Sequence, residues 1–498
     1  MFIKEKNKFT TTERIAILFL FVSTMVILLL CFSNGISGND FWWHIKVGEY
    51  IQENKTIPTN DIFSWLGMEK NISWTAHEWL SDVIFYYIHN TFGEIGVFCF
   101  SVVVAIILFS LLFFESIKHT KRNFIIAGLF FILFAIVLSL FVYGRPHIFS
   151  YFFLFFELKI LFTFIENKNI RKLYWLPFIA VLWSNFHGGS AVLSYILPLI
   201  FLIIGTIRFK CGRIYAERFS KKEIMSLTFA TLGSIIGMLI NPVGLKVLLY
   251  PYTSFSDTLM MNIISEWQAP DAKVLGNLIL YFIPIAIMLS TEKEIRAIDI
   301  VIMGVFLLLF FRSARFIVLW YIASVFFAFR YVPVCKLKEI KKRDTVIISF
   351  VMLLFIIPCT SFGVDIVNTY KNGQLISSVM SEEAIQFVKD ESPERVFNDY
   401  NVGETLIYND IPVFFDARAD LYAQEHIMED GISLMFLEQN NATKKGVLNI
   451  DNLIIEYKFD AILILKNRPL YTYLVNNTDK YICIYQDDNV GYFKPIIM

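Results

Sequence analysis

Long apolar runs dominate the pattern of the chain. The first extends from Ile15 to Phe32, and the others lie near residues 95–117, 123–142, 148–165, 172–186, 190–207, 224–240, 274–290, 298–311, 314–330 and 345–361. A backbone inside lipid must satisfy its own hydrogen bonds, so long apolar runs predict membrane-spanning helices. The pattern therefore predicts an α-helical integral membrane protein with about eleven transmembrane helices.

Basic residues lie between alternate apolar runs, as the positive-inside rule requires of cytoplasmic loops. Besides the basic amino terminus, these clusters are Lys118 to Arg122, Lys168 to Lys172, Arg208 to Lys222, Lys293 to Arg296 and Arg330 to Arg343. We predict a multi-pass protein of the plasma membrane with a cytoplasmic amino terminus. The opposite loops, which hold most of the unusual polar residues, are then extracytoplasmic.

The chain becomes charged and mixed after Ser361. We predict a polytopic membrane domain over residues 1–362, with an extracytoplasmic first loop over 34–80, and a soluble extracytoplasmic α/β domain over 363–498. Its signals are a helical pattern from Glu382 to Lys389 and β-like runs at Val413 to Phe415, Ala461 to Leu465 and Tyr481 to Tyr485.

Charge and cysteine content exclude several classes of protein. The formal net charge is zero and no basic patch stands out, so no nucleic-acid partner is predicted. The six cysteines show neither a CxxC pair nor metal-ligand spacing, which argues against a disulfide framework or a zinc site.

The first outer loop is dense in ionisable groups. Asp40 follows the first predicted membrane helix and precedes Trp42, Trp43 and His44. A carboxyl group held at the membrane surface suits a general base or a ligand for a divalent cation such as Mg²⁺ or Mn²⁺. We interpret the tryptophans as interfacial anchors and Asp40 as a functional residue, and we predict that His44 binds the substrate.

His77 and Glu78 begin like a zinc-protease HExxH motif, but Ser81 stands where the second histidine is required. Two interpretations stay open. The pair hydrogen-bonds a sugar hydroxyl or orients Asp40, or it is a capping and surface pair on an interfacial helix.

Further polar residues occur in four other outer turns. They are Arg145, His147, His187, Glu266, Asp271, Arg312 and Arg315. The guanidinium fork of arginine matches phosphate oxygens, so the group suits the phosphate of an amphiphilic substrate. Snorkelling to headgroups, or pairing with Glu266 and Asp271, is the alternative. We predict that Asp40, Arg145, His187, Glu266 and Arg312 share one outer cavity.

Five motifs carry a resemblance to known proteins. They are Asp-x-Trp-Trp-His at 40–44, Pro-x-x-Asp-x-Phe-Ser at 58–64, His-Glu-Trp-Leu at 77–80, Asn-Pro-x-Gly at 241–244 and Asp-x-Arg-x-Asp at 416–420. From residues alone we interpret the last motif as structural packing. Together the motifs resemble a group of uncharacterised bacterial polytopic membrane proteins and, more distantly, the GT-C superfamily of membrane glycosyltransferases.

The GT-C resemblance implies a polyprenyl-phosphate or polyprenyl-diphosphate sugar donor and a glycan, lipid or protein acceptor. It implies that Asp40 activates the acceptor hydroxyl as base or metal ligand, and that Arg312 or Arg315 binds the donor phosphate. Two features depart from the superfamily: Asn39-Asp40 replaces a paired Asp-Glu, and the tail lacks a Trp-Trp-Asp motif.

Other functions remain as alternatives. An O-antigen ligase or polymerase would also use outer arginines and a lipid-diphosphate donor, and a non-catalytic scaffold or sensor would use its tail to bind cell-wall material. A transporter needs polar residues near the bilayer midplane. We expect apolar spans with charge at one rim, which argues against transport.

Overall fold

Helices make up most of the described chain. A computed structural model describes residues 9–32, 40–119, 123–142, 144–256, 267–270, 282–333, 379–422, 426–437 and 450–496. The chain divides into two compact units. Unit 1 comprises Met1–Ile36, Val97–Asn241 and Glu266–Leu375, and unit 2 comprises Ser37–Gly96, Pro242–Ser265 and Ile376–Met498.

The helices are numbered in chain order. They are α1 (Thr11–Cys31), α2 (Phe41–Asn54), α3 (Trp65–Glu69), α4 (Trp79–Ile117), α5 (Phe124–Phe141), α6 (His147–Asn167), α7 (Leu176–Phe186), α8 (Gly188–Ala191), α9 (Leu193–Gly205), α10 (Lys221–Met238), α11 (Leu245–Ser256), α12 (Ile283–Ser290), α13 (Ala297–Arg312), α14 (Ile317–Phe327), α15 (Glu382–Glu391), α16 (Gly403–Tyr408), α17 (Ala419–Tyr422), α18 (Ile427–Phe436), α19 (Ile450–Tyr457) and α20 (Pro469–Asn476).

Five helical segments of the described residues are long and apolar enough to cross a membrane. They are Glu13–Cys31, Trp79–Ile117, His147–Asn167, Gly188–Gly205 and Ala314–Tyr331. The chain therefore has the character of a helical membrane protein, as its apolar pattern predicts. The count of eleven stays a prediction, and the predicted span at 345–361 lies outside the described residues.

Local sequence explains where some of these helices begin. Thr10 and Glu13 form a reciprocal capping box at the start of α1, and Ser220 and Glu223 form another at α10. The long helix α4 is interrupted at Gly93, which has φ 63° and ψ −161°. Glycine adopts this conformation without the steric penalty of a Cβ atom, so the apolar run contains one break.

Unit 1 has an aromatic core and a small sheet. Phe109, Phe131 and Phe134 pack between α4 and α5, with ring centroids 5.2 to 6.1 Å apart; Phe109 stacks on Phe134, and Phe131 meets both rings edge to face. Strands β1 (Phe209–Cys211), β2 (Ile214–Ala216) and β3 (Ile295–Arg296) form its three-stranded sheet in the order β1-β2-β3.

Unit 2 contains a four-stranded mixed sheet. Its strands are β4 (Val396–Asn398), β5 (Ala461–Leu465), β6 (Tyr481–Gln486) and β7 (Val490–Pro495), in the order β4-β5-β7-β6. β4 and β5 are parallel, and the other two pairs are antiparallel. The sheet is built entirely from the carboxyl-terminal part of the chain.

Most predicted elements of the tail are confirmed. The helical signal corresponds to α15, and two β-like runs correspond to β5 and β6. The strand predicted at Val413 to Phe415 is wrong, because Val413 makes only an isolated bridge, to Ser64. The boundary at residue 362 stays a prediction, and it falls within 334–378, outside the described residues.

Candidate functional site

Helix α2 of unit 2 carries Asp40 and His44 at its start. Asp40 is the N-cap residue, and its carbonyl oxygen accepts a hydrogen bond from the backbone N–H of His44 at 3.4 Å. Residues four apart lie on one face of a helix, so the two side chains share a face. A Cβ atom at Gly48 would overlap the carbonyl oxygen of Asp82, so glycine permits the close approach of α2 to α4.

His44 belongs to a chain of histidines and carboxylates, which we call the histidine chain: buried His44 and Asp82, and half-buried His77 and Glu78. His44 Nδ1 lies 2.6 Å from Asp82 Oδ1, and its Nε2 lies 3.9 Å from Glu78 Oε2. His77 Nε2 lies 3.9 Å from the other oxygen of Glu78. The predicted residues His44, His77 and Glu78 therefore come together, joined by Asp82.

The carboxyl-terminal part of unit 2 also contributes to the surroundings of His77. Asp420 lies near enough for the charge of His77 to oppose the rise that burial causes in the Asp420 pKa. The ring of Tyr250 packs against the imidazole of His77, with centroids 4.0 Å apart. The surroundings of His77 are thus formed by the neighbouring Glu78 and by two distant parts of the sequence, around Tyr250 and Asp420.

Glu404, on α16, is a candidate that sequence reasoning missed. Its Oε1 accepts a hydrogen bond from the backbone N–H of Ala417 at 2.7 Å. Burial, together with the charges of Asp40 and Asp416, raises the pKa of Glu404 well above its ordinary value. The protonated form of Glu404 is therefore favoured. The surroundings of Asp40 thus include a second carboxyl group, that of Glu404.

Several buried polar atoms in this part of unit 2 have no hydrogen-bond partner. Within the described ranges these include Trp42 Nε1, Trp43 Nε1, Asp82 Oδ2 and Glu404 Oε2. Native proteins satisfy most buried polar atoms, so such a group calls for an explanation such as a bound molecule. The two tryptophans were predicted as interfacial anchors, but they are buried, Trp42 against Tyr408 and Trp43 against His44.

A second buried cluster, the arginine cluster, consists of Asp61, Asp416, Arg418 and Tyr422. The guanidinium of Arg418 donates to Asp61 Oδ1 at 2.7 Å and to Asp416 Oδ2 at 2.6 Å. Tyr422 donates its hydroxyl to Asp416. Burial disfavours the charge of Arg418, but Asp416 and Asp61 outweigh it and raise its pKa. The arrangement agrees with the interpretation of this motif as structural packing.

His147 and His187 come together in unit 1. Their ring centroids are 6.5 Å apart, and His147 Nε2 lies 2.6 Å from the carbonyl oxygen of Phe141. His187 Nδ1 lies 2.6 Å from Ser150 Oγ and 2.8 Å from Ser190 Oγ. Arg145 stands just before α6, close to His147 in sequence.

The remaining predicted substrate ligands also belong to unit 1. Arg312 ends α13, and the guanidinium of Arg315 lies 4.6 Å from the centre of the Trp267 ring. Glu266 and Asp271 lie outside the described residues. Because Asp40 belongs to unit 2, the single cavity that would unite these residues stays a prediction.

A metal ion would need several His, Cys, Asp or Glu side chains close together. Where the structure describes the chain, no group of three or more His, Cys, Asp or Glu side chains is arranged to hold a metal ion.

Comparison with known proteins gives no further identification. No protein family and no curated protein matches the chain. Asp82 had a usable sequence signal, because it stands four residues after Glu78. Glu404 had none, since only the fold brings it near Asp40.

Proposed function

We propose that this protein is a membrane glycosyltransferase that moves a sugar from a polyprenyl-phosphate or polyprenyl-diphosphate donor to an extracytoplasmic acceptor. The observation that carries the proposal is the proximity of Glu404 to Asp40: burial and the charge of Asp40 raise the pKa of Glu404. A carboxylate that accepts a proton, beside a protonated carboxyl group that donates a hydrogen bond, is suited to proton transfer around a reacting hydroxyl. In the same part of unit 2, the buried atoms without partners include hydrogen-bond donors, Trp42 Nε1 and Trp43 Nε1, and the oxygen Glu404 Oε2, all of which could bind a sugar.

In the proposed reaction, the acceptor oxygen forms a bond to the anomeric carbon of the donor sugar. The bond between that carbon and the phosphate oxygen breaks, and its electron pair leaves with the phosphate. Asp40 takes the proton of the acceptor hydroxyl, while protonated Glu404 donates a hydrogen bond that holds the sugar.

The histidine chain supports this reaction from the same face of α2. Asp82 contacts Nδ1 of His44, so the Nε2 atom of His44 faces Glu78. A carboxylate that orients an imidazole fixes the tautomer and the position of the ring. We assign His44 and Glu78 as positioning residues that carry the released proton away from Asp40.

In unit 1, we keep Arg145, Arg312 and Arg315 as proposed ligands of the donor phosphate. Arginine suits this task because its charge persists at all relevant pH values and its guanidinium fork donates hydrogen bonds to two phosphate oxygens. The stacking of Arg315 on Trp267 fixes one guanidinium plane. His147 and His187 are proposed to bind the same donor.

The test compares envelope glycans and lipid-linked sugars from cells carrying the wild type, a deletion, Asp40→Asn or Glu404→Gln at matched abundance. We expect both variants to lose one glycan and to accumulate its polyprenyl-linked precursor, as the deletion does. The matched control is Asp488→Asn, an exposed carboxylate of the tail, which should leave both pools unchanged.

Two other results have definite meanings. If Asp40→Asn matches the wild type while the deletion has a phenotype, the catalytic role of Asp40 is rejected and the non-catalytic scaffold or sensor is favoured. If the precursor that accumulates is a diphosphate-linked polymer, the O-antigen ligase or polymerase alternative replaces single-sugar transfer.

A further inference from the structure

Glu157 is a carboxyl group at the centre of a membrane-length helix. It stands ten residues from each end of α6, or about 15 Å from either end at the rise of an α-helix. Its side chain is fully buried, and in the described part of the chain neither of its oxygens has a hydrogen-bond partner. The expectation of apolar spans charged at one rim is therefore wrong for α6.

Among the described residues, the helices that pack most closely against α6 carry no lysine or arginine. α6 packs against α7, α9 and α14. α7 has no titratable side chain, and the other two helices carry only Tyr195 and Tyr321. Arg171 and Lys172, on the short turn before α7, are exposed. An ionised carboxylate without a partner is strongly unfavourable inside a membrane, so Glu157 requires a neutralising ligand.

The nearest lysine in sequence is engaged elsewhere. Lys159 lies 3.2 Å from Glu115 Oε2, at the carboxyl end of α4. Two residues correspond to a rotation of about 200° around a helix, so Lys159 and Glu157 leave α6 on opposite sides.

A second polar residue, Ser194, lies on the neighbouring helix at a similar depth. Ser150 and Ser190 provide a common reference depth for the two helices, because their hydroxyl oxygens are 2.7 Å apart near the starts of α6 and α8. Glu157 follows Ser150 by two turns on the same face, and Ser194 follows Ser190 by one turn. Glutamate side chains on a helix extend toward its amino end, which brings the carboxyl group back toward the level of Ser194.

Ser194 offers a hydroxyl without a partner and a carbonyl group whose usual helical donor is missing. Its buried hydroxyl has no hydrogen-bond partner among the described residues. Pro198 lies four residues later inside α9 and lacks the N–H that the carbonyl of Ser194 would otherwise accept from. Carbonyl groups freed in this way coordinate sodium ions or accompany proton sites in membrane proteins.

Ser234, on α10, is a third buried hydroxyl at a similar depth. α10 packs against both α7 and α9. Asn185 Nδ2, at the end of α7, donates to the carbonyl oxygen of Ile240 at 2.8 Å, and Ser234 lies six residues before that contact, about 9 Å deeper. The Ser234 hydroxyl is fully buried and also has no partner within the described ranges.

We propose that Glu157, Ser194 and Ser234 bind one monovalent cation, either a sodium ion or a proton. Carboxylate, hydroxyl and carbonyl oxygens are the hard ligands that such a cation prefers, and either cation would neutralise Glu157. The hydroxyl and imidazole groups of Ser150, His187 and Ser190 lie between this layer and the starts of α6 and α8. This site goes beyond glycosyl transfer and does not depend on it.

The test is the labelling of Glu157 by dicyclohexylcarbodiimide, an apolar reagent that attacks protonated carboxyl groups within membranes. The full-length protein in lipid nanodiscs is treated in sodium chloride or in choline chloride at equal ionic strength, at several pH values, and Glu157 is read by peptide mass spectrometry. If sodium is the ligand, we expect at least tenfold slower labelling in sodium. If the ligand is a proton, labelling falls with rising pH and ignores sodium.

Two comparisons control the test. Glu115 is measured in the same samples, and because Lys118 and Lys159 already pair with it, sodium should not alter its labelling. Ser194→Ala keeps the labelled carboxyl group and should raise the sodium concentration for half-protection several-fold, or in the proton case shift the pH midpoint of labelling. Labelling of Glu157 that changes with neither sodium nor pH, whether complete or absent throughout, overturns the proposal.

Discussion

Two buried polar regions of unit 2 differ in how completely their hydrogen bonds are satisfied. In the arginine cluster, the carboxylates of Asp61 and Asp416 accept from Arg418, and Tyr422 completes the arrangement. Around Asp40, by contrast, Glu404 and Asp82 each keep a buried oxygen without a partner. A satisfied network is explained by folding alone, whereas buried unsatisfied atoms reduce stability and point to a ligand.

Unit 1 contains the same contrast. Asp299 accepts two hydrogen bonds from Arg296, at 2.8 and 2.7 Å, and one from the hydroxyl of Tyr331. Glu157 is equally buried and has no partner in the described chain. Both units thus contain acidic residues whose oxygens are hydrogen-bonded and acidic residues that keep a buried oxygen without a partner in the described chain.

The largest expected effect comes from breaking the satisfied network. Arg418→Met leaves Asp61 and Asp416 as buried charges without their counterion, so we expect a loss of about 3–5 kcal/mol in the free energy of unfolding. The measurement is the yield and thermal midpoint of the purified protein in detergent. Arg395→Ala, which breaks a more exposed pair with Glu69, is the control and should lose far less. A wild-type midpoint for Arg418→Met would contradict the structural role.

The next effect concerns the pH dependence that Glu404 gives to stability. Its raised pKa means that native Glu404 keeps a proton that the unfolded chain releases above about pH 4.3, so stability falls as pH rises toward the raised pKa. Each pH unit in that window corresponds to at most about 1.4 kcal/mol.

Glu404→Gln removes this dependence. The thermal midpoint of the variant minus that of the wild type should therefore grow from pH 5 to pH 8. A difference that is constant with pH would show that Glu404 is ionised in the folded protein.

A pair of serine variants tests the contrast at smaller scale. Ser64 caps α3 by accepting from the N–H of Gly67, and it also donates to Asp61, so Ser64→Ala should lose about 1 kcal/mol. Ser101 is equally buried, but its hydroxyl has no partner within the described residues. Ser101→Ala should stay within about 0.5 kcal/mol of the wild type. Equal thermal midpoints for the two variants would remove the distinction.

The smallest effect is expected for an exposed ion pair. Lys210 and Glu294 form a salt bridge, but both side chains are more than half exposed. Solvent and salt screen such pairs, so Lys210→Ala should change the free energy of unfolding by less than about 0.5 kcal/mol. Thermal midpoints at low and high salt provide the check, and a larger change would mean that the pair is shielded from water.

Short-range patterns allowed much of the secondary structure to be predicted. The apolar runs correspond to α1, α5, α6 and α13, because helix formation inside lipid depends on neighbouring residues along the chain. The run at Val413 failed as a strand, because its only bridge is to Ser64, far away in the sequence. Strand pairing depends on such distant partners, which a single apolar run does not reveal.

The candidate site was predicted only in part for the same reason. His44, His77 and Glu78 come together as residues of one loop. The approach of Glu404 to Asp40 depends on the packing of α16 against α2, which no local motif announces.

The sequence by itself indicated a helical membrane protein and the positions of helices such as α1, α5, α6 and α13, because composition and periodicity act locally. Only the tertiary structure decided which buried groups are paired. Arg418 donates a hydrogen bond to Asp61, whereas Glu157 and one oxygen of Glu404 have no hydrogen-bond partner in the described chain. Pairing depends on long-range packing and on desolvation, and these quantities exist only once the chain has folded.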